Sequence, residues 1–226
     1  MGGTTVTGAW GYYGKIAAQG DFLKSALPRD FVSAWDAWLQ AGLLSSRDAL
    51  GEGWLERYLS APIWRFAIAP GVAGRSAMLG VMMPSIDRVG RHFPLTVAAE
   101  AGAARPFSLL ALGDKALAAV EQAALDTLDE GAGRDAFDAA LAAAPGVPAT
   151  RGLGGVRGQG ADLIHARPTA AAAAIADRWC DERHGAASVW SAESPDGQMA
   201  GITLVARGLP DAATFATFLA PPAAAS

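Results

Sequence analysis

The chain of 226 residues suffices for one large domain or two small ones, and at 51% hydrophobic it can bury a sizeable core. Its net charge of −4 supplies no general basic face, which argues against a nucleic-acid partner. A single cysteine, Cys180, excludes an internal disulfide framework and fits a reducing compartment.

Met1 to Ala9 carries neither a basic cluster nor an apolar run, so no signal peptide is expected there. No stretch approaches the roughly 18 unbroken apolar residues of a membrane span. The expectation is a soluble, cytoplasmic protein without direct membrane insertion.

Trp10 to Tyr13 is expected to join a sheet, followed by the glycine-punctuated run GYYGKIAAQGDF. Its Gly14-Lys15 step invites comparison with a phosphate-binding loop. That loop needs a hydroxyl after the lysine and a glycine five positions before Gly14; here stand Ile16 and Ala9. With no helix starting at Lys15, nothing would cradle a phosphate. The glycines read as tight turns, with Lys15 and Asp21 either solvated or paired with something later in the chain.

Asp30 is placed as an N-cap, with Phe31, Trp35, Trp38 and Leu39 following at helical spacing. Gly42 is expected to interrupt this helix, which continues or restarts through Arg47. A second short helix holds Trp54, Leu55, Tyr58 and Leu59 and ends before Pro62. The period then changes to two. In a strand over 63–68, Trp64, Phe66 and Ile68 point one way, and Ile63, Arg65 and Ala67 the other. Further strands are expected over 77–83 and 93–98, and the short loops between them favour antiparallel pairing.

In the second half, Asp114 is expected to cap a helix carrying Leu117, Val120, Ala124 and Leu128. A helix over 134–143 with Phe137 and Leu141 stops at Pro145. The span 145–162 holds six glycines and reads as a flexible loop. Gly152 and Gly154 match part of a dinucleotide fingerprint, but Arg157 replaces its third glycine. A third helix over 169–179 is expected to turn Ile175 and Trp179 inward. Strands over 187–191 and 202–206, a helix over 211–219 and a frayed tail close the chain. The fold class is α/β: a central, largely antiparallel (mixed) sheet with helices on both faces, a three-layer sandwich spanning 1–226 as one domain.

Cys180 and His184 lie four apart, but a metal site needs three or four ligands, and His92 and His165 are remote in sequence, so no metal and no cofactor is expected. Ser85, Asp87 and His92 could be drafted into a nucleophilic site, yet no G-x-S-x-G elbow is present, and a polar loop is the simpler reading. MMPSIDRVGRHFPL is the densest charged stretch beside apparent core. A half-buried arginine must find a carboxylate or carbonyls. Asp36 or Asp87 is therefore expected to pair with Arg65 or Arg91, as a structural clasp or the centre of a recognition surface. Of the seven tryptophans, most read as core, with a binding surface as the alternative.

Taken together, GYYGKIAAQGDF, FVSAWDAWLQAGL, WLERYLSAPIWRFAIAPG, GVMMPSIDRVGRHFPLT and GITLVARGLPD resemble the TagF (ImpM) family of type VI secretion-associated proteins. Ala17-Ala18 departs from the pattern, where a proline would be expected near the lysine. The resemblance implies an α/β sandwich and a non-enzymatic cytoplasmic accessory protein that restrains the secretion apparatus after translation. It also implies a partner, the forkhead-associated scaffold protein of that system. Candidates for partner binding or the clasp are Trp35, Asp36, Trp38, Arg65, Ser85, Asp87 and Arg91. The alternative is a hydrolase or phosphatase using Asp87, Arg91 and His92.

Overall fold

The structure is a computed structural model and describes residues 8–17, 20–129, 133–148, 155–157, 162–164, 168–193 and 201–221. The chain opens with a hairpin, β1 (Gly11–Gly14) and β2 (Leu23–Ser25). The long helix α1 (Arg29–Leu50) leads through a 3-10 turn at Gly51–Gly53 into the short α2 (Trp54–Leu59). A meander follows: β3 (Trp64–Ile68), β4 (Met78–Met83) and β5 (Leu95–Glu100). Then come α3 (Pro106–Asp126), α4 (Arg134–Ala143), a small hairpin of β6 (Gly155–Arg157) and β7 (Asp162–Ile164), and α5 (Pro168–His184). The described chain ends with β8 (Ala187–Ala192), β9 (Ile202–Arg207) and the single turn α6 (Ala216–Leu219).

Seven strands form one sheet in the order β2-β1-β5-β4-β3-β8-β9, and every neighbouring pair is antiparallel. This agrees with the largely antiparallel sheet and the α/β class expected. Period-two alternation divides its side chains between two cores. Trp64, Phe66 and Ile68 of β3 join Met78, Met82 and Trp190 on the face covered by α1 and α6. Ala67, Leu79, Val81, Val97 and Ala99 lie on the other face, beneath α3.

The helix ends differ from the sequence expectation. Pro28, not Asp30, is the N-cap of α1. Asp30 sits in the first turn, accepting hydrogen bonds from the backbone N–H of Phe31 (2.9 Å) and of Arg75 (3.0 Å). There its charge still complements the helix dipole. Gly42 does not interrupt the helix. The ring of Phe215 lies where its Cβ would stand, so the missing side chain lets the C-terminal segment close on α1. Helix α3 begins at Pro106, well before Asp114, which is mid-helix. Its first turn is capped from α5: Asp177 accepts from the N–H groups of Phe107 (2.7 Å) and Ser108 (3.0 Å) and from the Ser108 hydroxyl (2.5 Å). No local pattern could reveal a cap supplied from so far along the chain.

Helix α5 is rotated relative to expectation. Ile175 and Trp179 are 60% and 49% exposed, while Ala173, Asp177 and Cys180 are buried. Close packing on α3 admits small side chains and the capping carboxylate, so the bulky residues turn outward. In α2, Trp54 and Tyr58 are buried whereas Leu55 and Leu59 face solvent. Within the glycine-rich span, 155–157 and 162–164 pair as strands rather than loop. The rest of 149–161, His165 and the tail from 222 lie outside the described residues. Among the described residues, no helix is long and apolar enough to cross a membrane.

Candidate functional site

The loop between β4 and β5 is built around one buried carboxylate. The backbone turns at Asp87–Gly90: the N–H of Gly90 donates to Asp87 O (2.9 Å), and that of Asp87 donates to Arg91 O (3.0 Å). Gly90 has φ +81°, in the region glycine enters without steric cost. Asp87 Oδ1 accepts from the N–H groups of Val89 (3.0 Å) and Arg91 (2.9 Å). Its Oδ2 accepts from Lys15 Nζ (2.6 Å) and Arg91 Nε (2.7 Å). Arg91 Nη2 then reaches Gly20 O (2.6 Å), stapling the loop to the segment between β1 and β2.

The Asp87 side chain is fully covered, and Lys15 is buried with it. Burial on its own would raise the carboxyl's pKa. The hydrogen bond from Lys15, those from the backbone and guanidinium of Arg91, and that from Val89 outweigh it and hold the group well below the usual carboxylate range. Four donors satisfy both oxygens, which leaves this carboxylate no role as a general base. The tip beyond it faces outward: Arg88, Val89, Gly90 and Arg91 are exposed, Val89 to 66%.

Ser85 and His92 flank the turn but do not form a catalytic pair. The Tyr58 hydroxyl donates to Ser85 O (2.8 Å) and accepts from Ser85 N–H (3.1 Å), which fixes the backbone. Ser85 Oγ is buried and has no hydrogen-bond partner among the described residues. His92 packs edge-on against Trp54 and Tyr58, ring centroids 5.6 and 5.5 Å away. Burial, then the positive charge of Arg47, pushes its pKa down. Arg47 lies over the Trp54 ring at 4.4 Å. Among the described residues no hydrogen bond joins His92 to Ser85 or Asp87, so the hydroxyl lacks a base and the base lacks an orienting carboxylate.

Of the expected ion pairs, only Asp87–Arg91 forms. Asp36 instead accepts from the Tyr13 hydroxyl (2.6 Å) and from Gln40 Nε2 (2.6 Å). Burial, followed by this bond to Asp36, pushes the Tyr13 pKa upward. Arg65 lies on the opposite face of the sheet, pairing with Asp114 (2.9 Å) and Glu121 (2.7 Å) of α3. Trp35 and Trp38 point into the core, their indole N–H groups donating to Thr96 Oγ1 (2.9 Å) and Pro210 O (2.7 Å).

Sequence reasoning did not include Lys15, Tyr13 or Phe22 among the site residues. Phe22 is 40% exposed and packs on Tyr13 and Phe93, with ring centroids 4.7 and 4.8 Å away. It stands beside the clasp on the same stapled segment. The only hint was the lysine after Gly14, whose partner lies far along the chain. Exposed at the loop tip are Arg88, Val89 and Arg91, with Asp21 and Phe22 exposed on the segment the loop is stapled to, and the satisfied carboxylate lies behind them. Among the described residues, no group of three or more His, Cys, Asp or Glu side chains could hold a metal ion.

Residues 11–144 match the family described as TagF N-terminal domain, type VI secretion system-associated. The chain belongs to the TagF family. Lys15, Asp87 and Arg91 all fall within the TagF match, as do α1 and the whole β3–β5 meander. The likeness extends beyond it to PA0076 from Pseudomonas aeruginosa PAO1, a crystal structure 39% identical in sequence. It covers 96% of this chain and 97% of that one with a TM-score of 0.78. No curated protein matches the chain in sequence.

Proposed function

We propose that this TagF chain is a non-enzymatic, cytoplasmic regulator of a type VI secretion system. It acts after translation by occupying a surface of the system's forkhead-associated scaffold, so that the scaffold does not support assembly. Family membership supports the secretion role. The observation that carries a binding rather than a catalytic reading is the saturation of Asp87: both oxygens are spent on holding the loop, while the tip projects outward. Arginine beside apolar side chains is the composition that protein interfaces favour.

The test is binding to the purified scaffold from the same secretion cluster. Reversal at Asp87 would put a cation between Lys15 and Arg91, and reversal at Arg91 would set a second carboxylate against Asp87. Arg88→Glu and Val89→Asp probe the surface without touching the clasp. Each is expected to weaken binding by about tenfold or more with an unchanged circular dichroism spectrum. Wild-type affinity in both variants would remove the loop tip from the interface.

The rival reading is a hydrolase or phosphatase using Asp87, Arg91 and His92, which would have to work around a carboxylate whose oxygens already accept four hydrogen bonds. Turnover of generic esters or phosphoesters that disappears in His92→Ala would favour that reading.

A further inference from the structure

The two edges of the sheet are unequal. At one end stands β2, three residues long; at the other stands β9, six residues of Ile-Thr-Leu-Val-Ala-Arg without a proline. Among the described residues no strand pairs with the outer side of β9. In an antiparallel ladder, every second residue of such a strand directs its N–H and C=O outward. Long edges of this kind are ordinarily blunted by proline, bulges or charge. On β9 the charge sits only at the end, on Arg207.

The strand also carries complementary charges on one face. The β8–β9 register pairs Ser191 with Thr203, Val189 with Val205 and Ala187 with Arg207, so these side chains share the α5 face. Glu193, two residues beyond Ser191, continues on that face and lines the groove beneath α5 with Thr203. It lies beside Gly201, its Cγ 3.6 Å from where a Cβ on that glycine would stand. The N-terminal end of β9 thus carries an acidic group and its C-terminal end a basic one. Both side chains are exposed, and neither has an ion-pair partner among the described residues.

We infer that β9 is a self-pairing edge: a second copy of the chain adds its own β9 antiparallel, across a two-fold axis at Leu204, and the sheet runs on through both copies. An axis perpendicular to the sheet keeps the α5 face on the same side in each copy, so residues of like parity must pair. Centred on Leu204, it sets Thr203 against the partner's Val205, Ile202 against the partner's Ala206, and Gly201 against the partner's Arg207. Each Arg207 then points at the partner's Glu193, one strand beyond the partner's Gly201. Two strand spacings of about 4.8 Å each separate the two backbones. An extended arginine and glutamate span that gap together. Symmetry makes the pair twice, as an isologous interface requires. A two-fold at Val205 would set Arg207 against the partner's Thr203 instead, so the charges select the register.

Sedimentation velocity over a concentration series, from micromolar to high micromolar, tests this on the full chain. The wild type is expected to pass from monomer to dimer. Arg207→Glu and Glu193→Arg, at exposed positions and expected to melt as the wild type does, should each raise the dimer dissociation constant about tenfold. The double variant Arg207→Glu/Glu193→Arg should return to within a few-fold of wild type, a rescue that loss of folding could not produce. If a reversal lowers the melting temperature, Arg207→Gln and Glu193→Gln remove the charges more gently and should weaken the dimer in the same direction. A wild type that stays monomeric throughout, or a dimer unmoved by these variants, overturns the proposal and leaves the edge to a strand from another protein.

Discussion

The two faces of the sheet are held by different physics. On the α1 face, Phe31, Trp35, Trp38, Phe66, Trp190, Phe215 and Phe218 interlock. Trp35 stacks on Trp190 (5.6 Å) and meets Trp38 and Phe66, each at 4.8 Å. The buried indoles there also donate hydrogen bonds: besides those of Trp35 and Trp38, Trp64 donates to Phe218 O (3.0 Å) and Trp190 to Ser188 Oγ (2.9 Å). On the α3 face the core consists mainly of alanine, leucine and valine, with Trp10 as its tryptophan. Hydrogen-bonded aromatic rings specify one arrangement inside the first core; inside the second, buried area and close approach dominate, with directional bonds at its margin from Trp10 to Pro145 O, from Arg65 to α3 and from Asp177 to the start of α3. The candidate site grows from the first face, since Tyr58 and Phe93, which anchor the 84–93 loop, belong to the aromatic core.

The largest effect is expected in the middle of the aromatic core. Trp35→Ala would empty a fully buried site and strand the Thr96 hydroxyl, so equilibrium denaturation should show a loss of about 3–5 kcal/mol. Next comes the clasp. Asp87 has a folded-state pKa below its unfolded value of about 3.9, so its contribution is fully present above that value and lost as pH falls toward the folded one. Asp87→Asn should therefore lower stability at pH 7 and flatten the acid limb of the stability profile, read by thermal melts across pH.

Two glycine substitutions separate the faces. Gly42→Ala would drive a methyl into the Phe215 ring and should cost about 1–3 kcal/mol. Gly113→Ala on the α3 face meets the Leu79 Cδ2 methyl at 2.6 Å, which a leucine can swing aside; it should cost under about 1 kcal/mol. The smallest effect belongs to Trp179, the half-exposed tryptophan of α5: Trp179→Ala should change stability by no more than about 0.5 kcal/mol.

The alternation Trp64-Arg65-Phe66-Ala67-Ile68 gave β3 and both of its faces, and the short loops around it gave antiparallel neighbours. Helix ends were less legible, because Asp177 caps α3 from another helix and Phe215 makes Gly42 part of a helix rather than its end. The alanine-rich α5 offered too little contrast to orient Ile175 and Trp179. At the site, Asp87–Arg91 was readable because both partners lie in one loop. The partner of Lys15 is not legible, since nothing local indicates which carboxylate a lysine will find across the sheet. Asp36 and Arg65 carried the right charges but sit on opposite faces, a separation that residue type alone does not encode.

On the proposed reading, the 84–93 loop holds its shape through Asp87 and so presents Arg88 and Val89 to the forkhead-associated scaffold. The decisive measurement is isothermal titration of that scaffold with the wild type and with Arg88→Glu/Val89→Asp. Saturable heat is expected with the wild type, and an affinity weaker by about a hundredfold or more with the equally folded double variant; equal affinities would take the loop tip out of the interface.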